Sequence, residues 1–215
     1  MSPEIIPEEI ELQEGFKVIA INNSSPDTLN YLNDVDSTFI QLHFCVNCAS
    51  SLFFNEHYSL NFKENKSVLL YNPKQDLPIN LTVQPKGKHL ILIVSIKLFH
   101  SFFSRVAGLI PFLNEENKDK KHYLDKELTP SEILIINQIF KEHVHHSLQQ
   151  LYLKGKVYEL ISLYFNKNEG EDQACPFLDD EDNVEKIKKA KQIIINNMAE
   201  PPTLQQIADA IVLSL

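Results

Sequence analysis

His43, Cys45 and Cys48 lie close together in the sequence, and imidazole nitrogen and thiolate sulfur are ligands that zinc favours. His43 and Cys45 stand at alternate positions, so on a strand they share one face. A zinc site also wants a fourth ligand or a water position, and no paired Cys-x-x-Cys recurs; Cys175 stands far downstream. Side chains filling a strand-borne pocket are the favoured reading, and neither metal nor cofactor is expected. His143 and His146 have the spacing of a weak surface metal site, but they fall at a helix end where cationic imidazole suits the dipole in any case. A metal-dependent barrel enzyme would carry His-x-His with a following Glu on its strands. The His-x-His present, His143-Val144-His145, falls instead in a helical stretch. A Gly-rich phosphate loop, a Gly-x-Ser-x-Gly elbow and His-Glu-x-x-His are all missing from the sequence. The chain is not expected to be an enzyme.

The elements that position these residues follow from periodicity. From about Phe16 to Ile96 the sequence reads as strands. Ser37 to Val46 places Ile40, Leu42, Phe44 and Val46 on one face and Phe39, Gln41, His43 and Cys45 on the other. Leu77, Ile79, Leu81 and Val83 alternate with polar neighbours, as in a half-buried strand. Gln84-Pro85-Lys86-Gly87-Lys88 then turns the chain, with Pro and Gly expected to supply the special backbone angles. His89 to Ile96 reads as a strand buried on both faces. Short strands separated by turns predict a small barrel or sandwich. Polar and aromatic residues on faces that should otherwise be apolar mark Phe39, His43, Tyr58, Tyr71 and His89 as candidates to line an effector pocket.

After Lys97 the pattern becomes helical. Leu98 to Leu113 is amphipathic and aromatic, and Asn114 to Lys126 reads as a polar loop. Thr129-Pro130-Ser131-Glu132 starts a helix, with Thr as the cap, Pro at the first helical position and Glu returning to the cap. Similar grammar at Ser147-Leu148-Gln149-Gln150 predicts a second helix through Phe165, packed antiparallel on the first. Residues 167–182 read as an acidic linker, followed by a helix from Val184 to Met198 that Pro201 and Pro202 stop. Thr203-Leu204-Gln205-Gln206 is a third capping box.

Composition narrows the class. The 215 residues are 43% hydrophobic, enough for a sizeable core without disulfides. Three cysteines without a regular framework, and no signal segment in the sequence, predict a reduced, cytoplasmic protein. The longest apolar run, around Leu90 to Ile96, is far short of the roughly 18 residues a bilayer span needs, so no membrane partner is expected. The net charge of −9, with Arg105 the only arginine, is a poor surface for gripping phosphates.

Two segments carry a family resemblance. Glu200-Pro-Pro-Thr-Leu-x-x-Ile-Ala-x-x-Ile-x-Leu-Ser214 resembles the opening of the DNA-binding domain of AraC/XylS-family transcription regulators. Thr203, Leu204, Ile207, Ala208, Ile211 and Ser214 would begin that domain, Ala208 being the small residue where two helices cross. Val212 stands where the family's turn usually has Gly. Leu151 to Phe165 is apolar on nearly every side and resembles the family's dimerisation helix, especially in members related to siderophore-responsive regulators; these carry a cupin-like β-barrel before it. Leu151, Val157, Leu160, Ile161 and Tyr164 are the expected dimer contacts. The resemblance implies an α+β fold: a cupin-like barrel, antiparallel dimerisation helices, and a truncated all-α helix-turn-helix start. It divides the chain into an arm (1–15), a sensor and dimerisation domain (16–166), a linker (167–182) and the DNA-binding start (183–215). The expected protein is a homodimeric regulator taking a small effector, with double-stranded DNA a partner of the full-length protein only. The alternatives are a cupin-like enzyme or metal-binding protein using His43, His57 or His89, and a purely structural dimerisation module.

A helix-turn-helix reads bases through its second helix, and Leu204 to Ile211 would be the first. The 215-residue chain should therefore show no tight, sequence-selective DNA binding at physiological salt. Fluorescence anisotropy with labelled duplexes tests this, and selective nanomolar binding would contradict the division of labour.

Overall fold

The computed structural model describes residues 7–166 apart from 48, 56, 104–119, 142 and 143, together with 205, 206 and 210. The chain divides into two compact units, residues 1–166 and 167–215. Within the first unit, β1 (Glu8–Gln13), β2 (Phe16–Asn22), β4 (Phe39–Val46), β7 (Lys66–Tyr71), β9 (Lys88–Ser95) and β10 (His122–Glu127) form a sheet in the order β1-β2-β9-β4-β7-β10. β3 (Leu29–Asn33), β5 (Ser50–Asn55), β6 (Tyr58–Phe62) and β8 (Ile79–Val83) form a second, in the order β3-β8-β5-β6. Every ladder is antiparallel. The fold is α+β, but the strands make two stacked sheets and not one closed barrel. Among the described residues no ladder joins the sheets. At one side the edge strands β1 and β3 meet through side chains, the Tyr31 hydroxyl donating to Glu9 and Asn33 donating to both.

Two cores result. The face of the six-stranded sheet that carries Phe16, Val18, Ile40, Leu42, Phe44, Leu69, Leu90, Leu92 and Val94 is covered by helices. The opposite face, with Ile19, Ile21, Val68, Leu70, Ile91 and Ile93, packs on Leu52, Phe62, Ile79, Leu81 and Val83 of the smaller sheet. β4 and β9 are buried on both sides for this reason, as the sequence predicts for β9.

The strand β10 replaces part of the expected loop. It pairs with β7 as an edge strand, and its mostly exposed side chains give no alternation to read. The segment expected as an arm contains β1, paired with β2. In the turn before β9 the positive φ of 65° belongs to Lys86, and the Gly87 amide closes the turn on the Gln84 carbonyl at 3.0 Å; glycine does not supply the unusual angle. Gly15 does so at the β1–β2 turn, with φ 77°, where an added Cβ would stand 2.7 Å from Ser95 Oγ.

The helices are α1 (Ile96–Phe103), α2 (Pro130–Ile139) and α3 (Gln149–Tyr164). α2 begins on the expected capping box: Thr129 Oγ1 accepts from the Glu132 amide, and Glu132 accepts from the Thr129 amide at 2.6 Å. Ser147 does not cap α3. It lies in a 3-10 turn, His146–Leu148, whose cap is the His145 side chain, and α3 starts after Leu148 without a side-chain cap. The rest of the expected helix Leu98 to Leu113, His143, and the linker 167–182 lie outside the described residues. So do the helix Val184 to Met198 and Thr203, Leu204, Ile207, Ala208, Ile211 and Ser214; residues 205, 206 and 210 are helical. Among the described residues no helix is long and apolar enough to cross a membrane.

The expected dimer contacts divide on α3. Val157, Leu160, Ile161 and Tyr164 are buried in the chain's own core with α2 and the larger sheet. Leu151 is the exposed member, at 70%. Leu160→Ala should therefore cost about 2–5 kcal/mol of folding free energy, as for other leucines in packed cores. Urea denaturation measures it, and a cost under about 1 kcal/mol, in the range of surface substitutions, would place Leu160 outside the core.

Candidate functional site

The space between the two sheets should be wholly apolar if it served packing alone. It is not. β4 sends Gln41, His43 and Cys45 to that side by its two-residue period, and the β4–β9 register sets His89 opposite Cys45. β5 contributes Ser50 from the facing sheet. Gln41, His43, Ser50 and His89 are all buried.

Their protons can be assigned from one fixed end. The Leu77 carbonyl can only accept, so the Gln41 amide turns its nitrogen to it. Gln41 Oε1 then faces His43 Nε2 at 3.0 Å and must accept, which puts the His43 proton on Nε2. A neutral His43 has a bare Nδ1, which accepts from His89 Nε2 at 3.2 Å. His89 Nδ1 is bare in turn and accepts from the Ser50 hydroxyl at 2.8 Å. Ser50 Oγ also lies 3.5 Å from Cys45 Sγ. The chain is fully satisfied, as a buried polar network must be. Burial pushes the His43 imidazole down to about 3, and burial together with His43 holds His89 well below the usual histidine range. Both rings are neutral at ordinary pH.

The ring of Phe62 stands edge-on to His89 at 4.9 Å between centroids and 5.7 Å from His43. Phe62 also lines a cleft of about 160 Å³ with Leu60, Val68, Lys63, Lys66 and Asp125. Val68 is the ladder partner of His43. The cleft lies where β6 meets β7 and β10. Lys66 is 3.8 Å from Asp125 and 3.6 Å from Glu127, pairs exposed enough to contribute little.

Of the residues singled out from sequence, the structure brings His43 and His89 together. Phe39 is half-buried on the same side of β4, at its far end, against the core between the sheets. Tyr71 faces the helices, because Val68 and Leu70 take the alternate positions of β7; its ring stacks on His122. Tyr58 is 59% exposed at the start of the edge strand β6, beside Phe54. His57 is exposed in the turn before it, apart from the buried pair, and Cys48 lies outside the described residues. Among the described residues no group of three or more His, Cys, Asp or Glu gathers as a metal site. Gln41, Ser50 and Phe62 were not singled out. Gln41 shares its strand face with His43, and two polar residues on one face of so apolar a strand were the available signal; Ser50 and Phe62 join through the facing sheet and leave none.

No family model matches the chain, and no curated protein matches it. Solved structures do. ToxT from Vibrio cholerae O395 is 12% identical, with a TM-score of 0.38, covering 94% of this chain and 71% of that one. ToxT of strain SCE256, solved with an unsaturated fatty acid bound, is 12% identical at a TM-score of 0.38, covering 96% and 77%. The AraC-like transcriptional activator CuxR is 9% identical at 0.38, covering 97% and 70%. With so few shared residues, the chemistry of the site rests on its own side chains.

The neutral pair has a pH signature. Both histidines titrate near 6.5 in the unfolded chain but resist protonation when folded. Below pH 6.5 the unfolded state binds more protons, so stability present above that pH is lost as pH falls toward 3. The expected slope is about 1.4 kcal/mol per pH unit for each histidine. Urea unfolding at pH 7, 6 and 5 measures it, and a flat profile would contradict the buried neutral pair.

Proposed function

We propose that this chain is the effector-sensing and dimerising part of a cytoplasmic transcription regulator of the AraC/XylS kind. The observation that carries the sensing half is the polar chain Gln41–His43–His89–Ser50, buried between the sheets beside a cleft. Ligand sites are concave, mostly apolar and furnished with a few placed polar groups, and this interior has that composition. The regulatory half is supported by the resemblance of Glu200 to Ser214 to the start of the family's DNA-binding domain. In this reading residues 16–166 hold the effector and the dimer contact, 167–182 tether, and 183–215 begin the module that meets double-stranded DNA. The cupin-like ancestry that the resemblance implies fits two stacked antiparallel sheets.

The dimer contact falls on what the helices leave exposed: Leu134 of α2, Leu148 before α3, and Leu151 and Leu163 of α3. A metal-binding alternative rests on the closeness of His43 and His89, and elemental analysis of the purified chain decides it.

Light scattering of the unmodified chain should give a dimer at high micromolar concentration, and Leu151→Glu with Leu163→Glu should give a folded monomer. In the same preparation, small organic molecules that occupy the cleft should raise the unfolding temperature. A ligand at a hundred times its Kd stabilises by about 2.7 kcal/mol. Leu60→Trp, which fills the cleft, should abolish the response. A monomeric wild type would remove the dimer from this reading, and stabilisation untouched by Leu60→Trp would move the effector elsewhere.

A further inference from the structure

The cleft where β6 meets β7 and β10 sets an apolar floor beside charges of both signs. Leu60 and Phe62 of β6 and Val68 of β7 make the floor. Phe62 is held there by its edge-on contact with the His89 ring and its packing on His43. Lys63 and Lys66 bring ammonium groups from the two ends of the β6–β7 crossover, and Asp125 brings a carboxylate from β10. The register explains why they converge. Val68 pairs with Asp125 and Lys66 with Glu127, so these four side chains share the face of the larger sheet that is turned towards the smaller one.

These charges are not used up within the chain. Lys66 stands 3.8 Å from Asp125 and 3.6 Å from Glu127, both longer than a hydrogen bond. Among the described residues no side-chain hydrogen bond engages Lys63, Lys66 or Asp125, and Lys63 has no ion pair. A monoanion drawn to the lysines would meet Asp125 and Glu127, and a monocation drawn to Asp125 would meet two ammonium groups. A ligand with a carboxylate and an ammonium on one carbon answers both signs at once, over the short distance that separates Lys66 from Asp125. Charge is tolerable here because the cleft is half-open, so the head group keeps part of its water while the body packs on the floor. The space is about 160 Å³, and about 150 Å³ of apolar cavity holds one benzene ring, so the body is a short branched chain. We propose that the cleft binds a free amino acid with an aliphatic side chain of leucine size, its carboxylate on Lys63 and Lys66 and its ammonium on Asp125. This rests on the cleft being the effector site and names the class of effector.

Leucine is the probe, with isocaproate, which lacks the ammonium, and isoamylamine, which lacks the carboxylate, as comparators. Titration calorimetry on the full chain at low ionic strength, where screening is weak, reads the affinities. Leucine should bind at least about tenfold tighter than either comparator, the worth of one charged hydrogen bond. Lys63 and Asp125 are exposed, so substitutions there keep the fold. Asp125→Asn should bring leucine down to the level of isocaproate. Lys63→Met should weaken leucine and isocaproate severalfold and leave isoamylamine no weaker. Leu60→Trp should weaken all three. If either comparator binds as tightly as leucine, or leucine is indifferent to both Asp125→Asn and Lys63→Met, recognition of a zwitterion is overturned while the cleft stands. If none of the three binds, the amino acid is overturned, and the response of other small molecules to Leu60→Trp still decides the cleft. Leucine binding that ignores Leu60→Trp overturns both.

Discussion

The larger sheet is covered on both faces, and most of the structure follows from that constraint. A strand inside it cannot turn a polar face to water, so each side chain of β4 and β9 must belong to one core or the other. Ile40, Leu42 and Phe44 enter the helix-facing core, while Gln41, His43 and Cys45 enter the space between the sheets. Once there, the polar members have no solvent to fall back on. They must satisfy one another, and the length and register of the two strands let them do so in a single unbranched chain.

The helix layer is fastened to this sheet by a carboxylate with no exposed surface. Glu132 caps its own helix through the Thr129 amide and takes a 2.9 Å ion pair from Lys126 of β10. The same Lys126 ammonium donates to the Tyr164 carbonyl at 2.8 Å and stands 3.8 Å from the centre of the Tyr164 ring. Two successive elements, β10 and α2, and the distant end of α3 thus meet on one charge pair. Such a pair adds little net stability over an apolar substitute, but leaving one member without the other is costly. It fixes where α3 ends. That is also where the first compact unit gives way to the second.

Alternation made the strand half of the fold legible wherever one face differed from the other, as in Ile79 to Val83, and the capping box at Thr129 was legible because its chemistry is local. β10 was not: His122 to Glu127 is an edge strand whose exposed Tyr123, Leu124 and Asp125 follow no period. α3 was legible only in part for a related reason. An all-round apolar helix says that several faces are covered but not by what, and α3 gives Val157, Leu160 and Ile161 to its own sheet. Of the candidate site, His43 and His89 were visible as polar interruptions of apolar strands. Their meeting depended on a register that only long-range pairing sets, and Ser50 and Phe62 arrive from a different sheet.

The link between Tyr31, Glu9 and Asn33 sits on the opposite side of the sandwich from the cleft, because β1 and β3 are edges at one end of the two strand orders and β10 and β6 are edges at the other. Burial and the neighbouring carboxylate push the Tyr31 phenol well above its usual range, so it stays a donor to Glu9 at neutral pH. At the opposite margin the sheets are joined by the chain itself, which crosses from Phe62 of β6 to Lys66 of β7 through only three residues. The sandwich is therefore shut by side-chain hydrogen bonds along one margin and by a short covalent crossover along the other, and a break in either leaves the second in place.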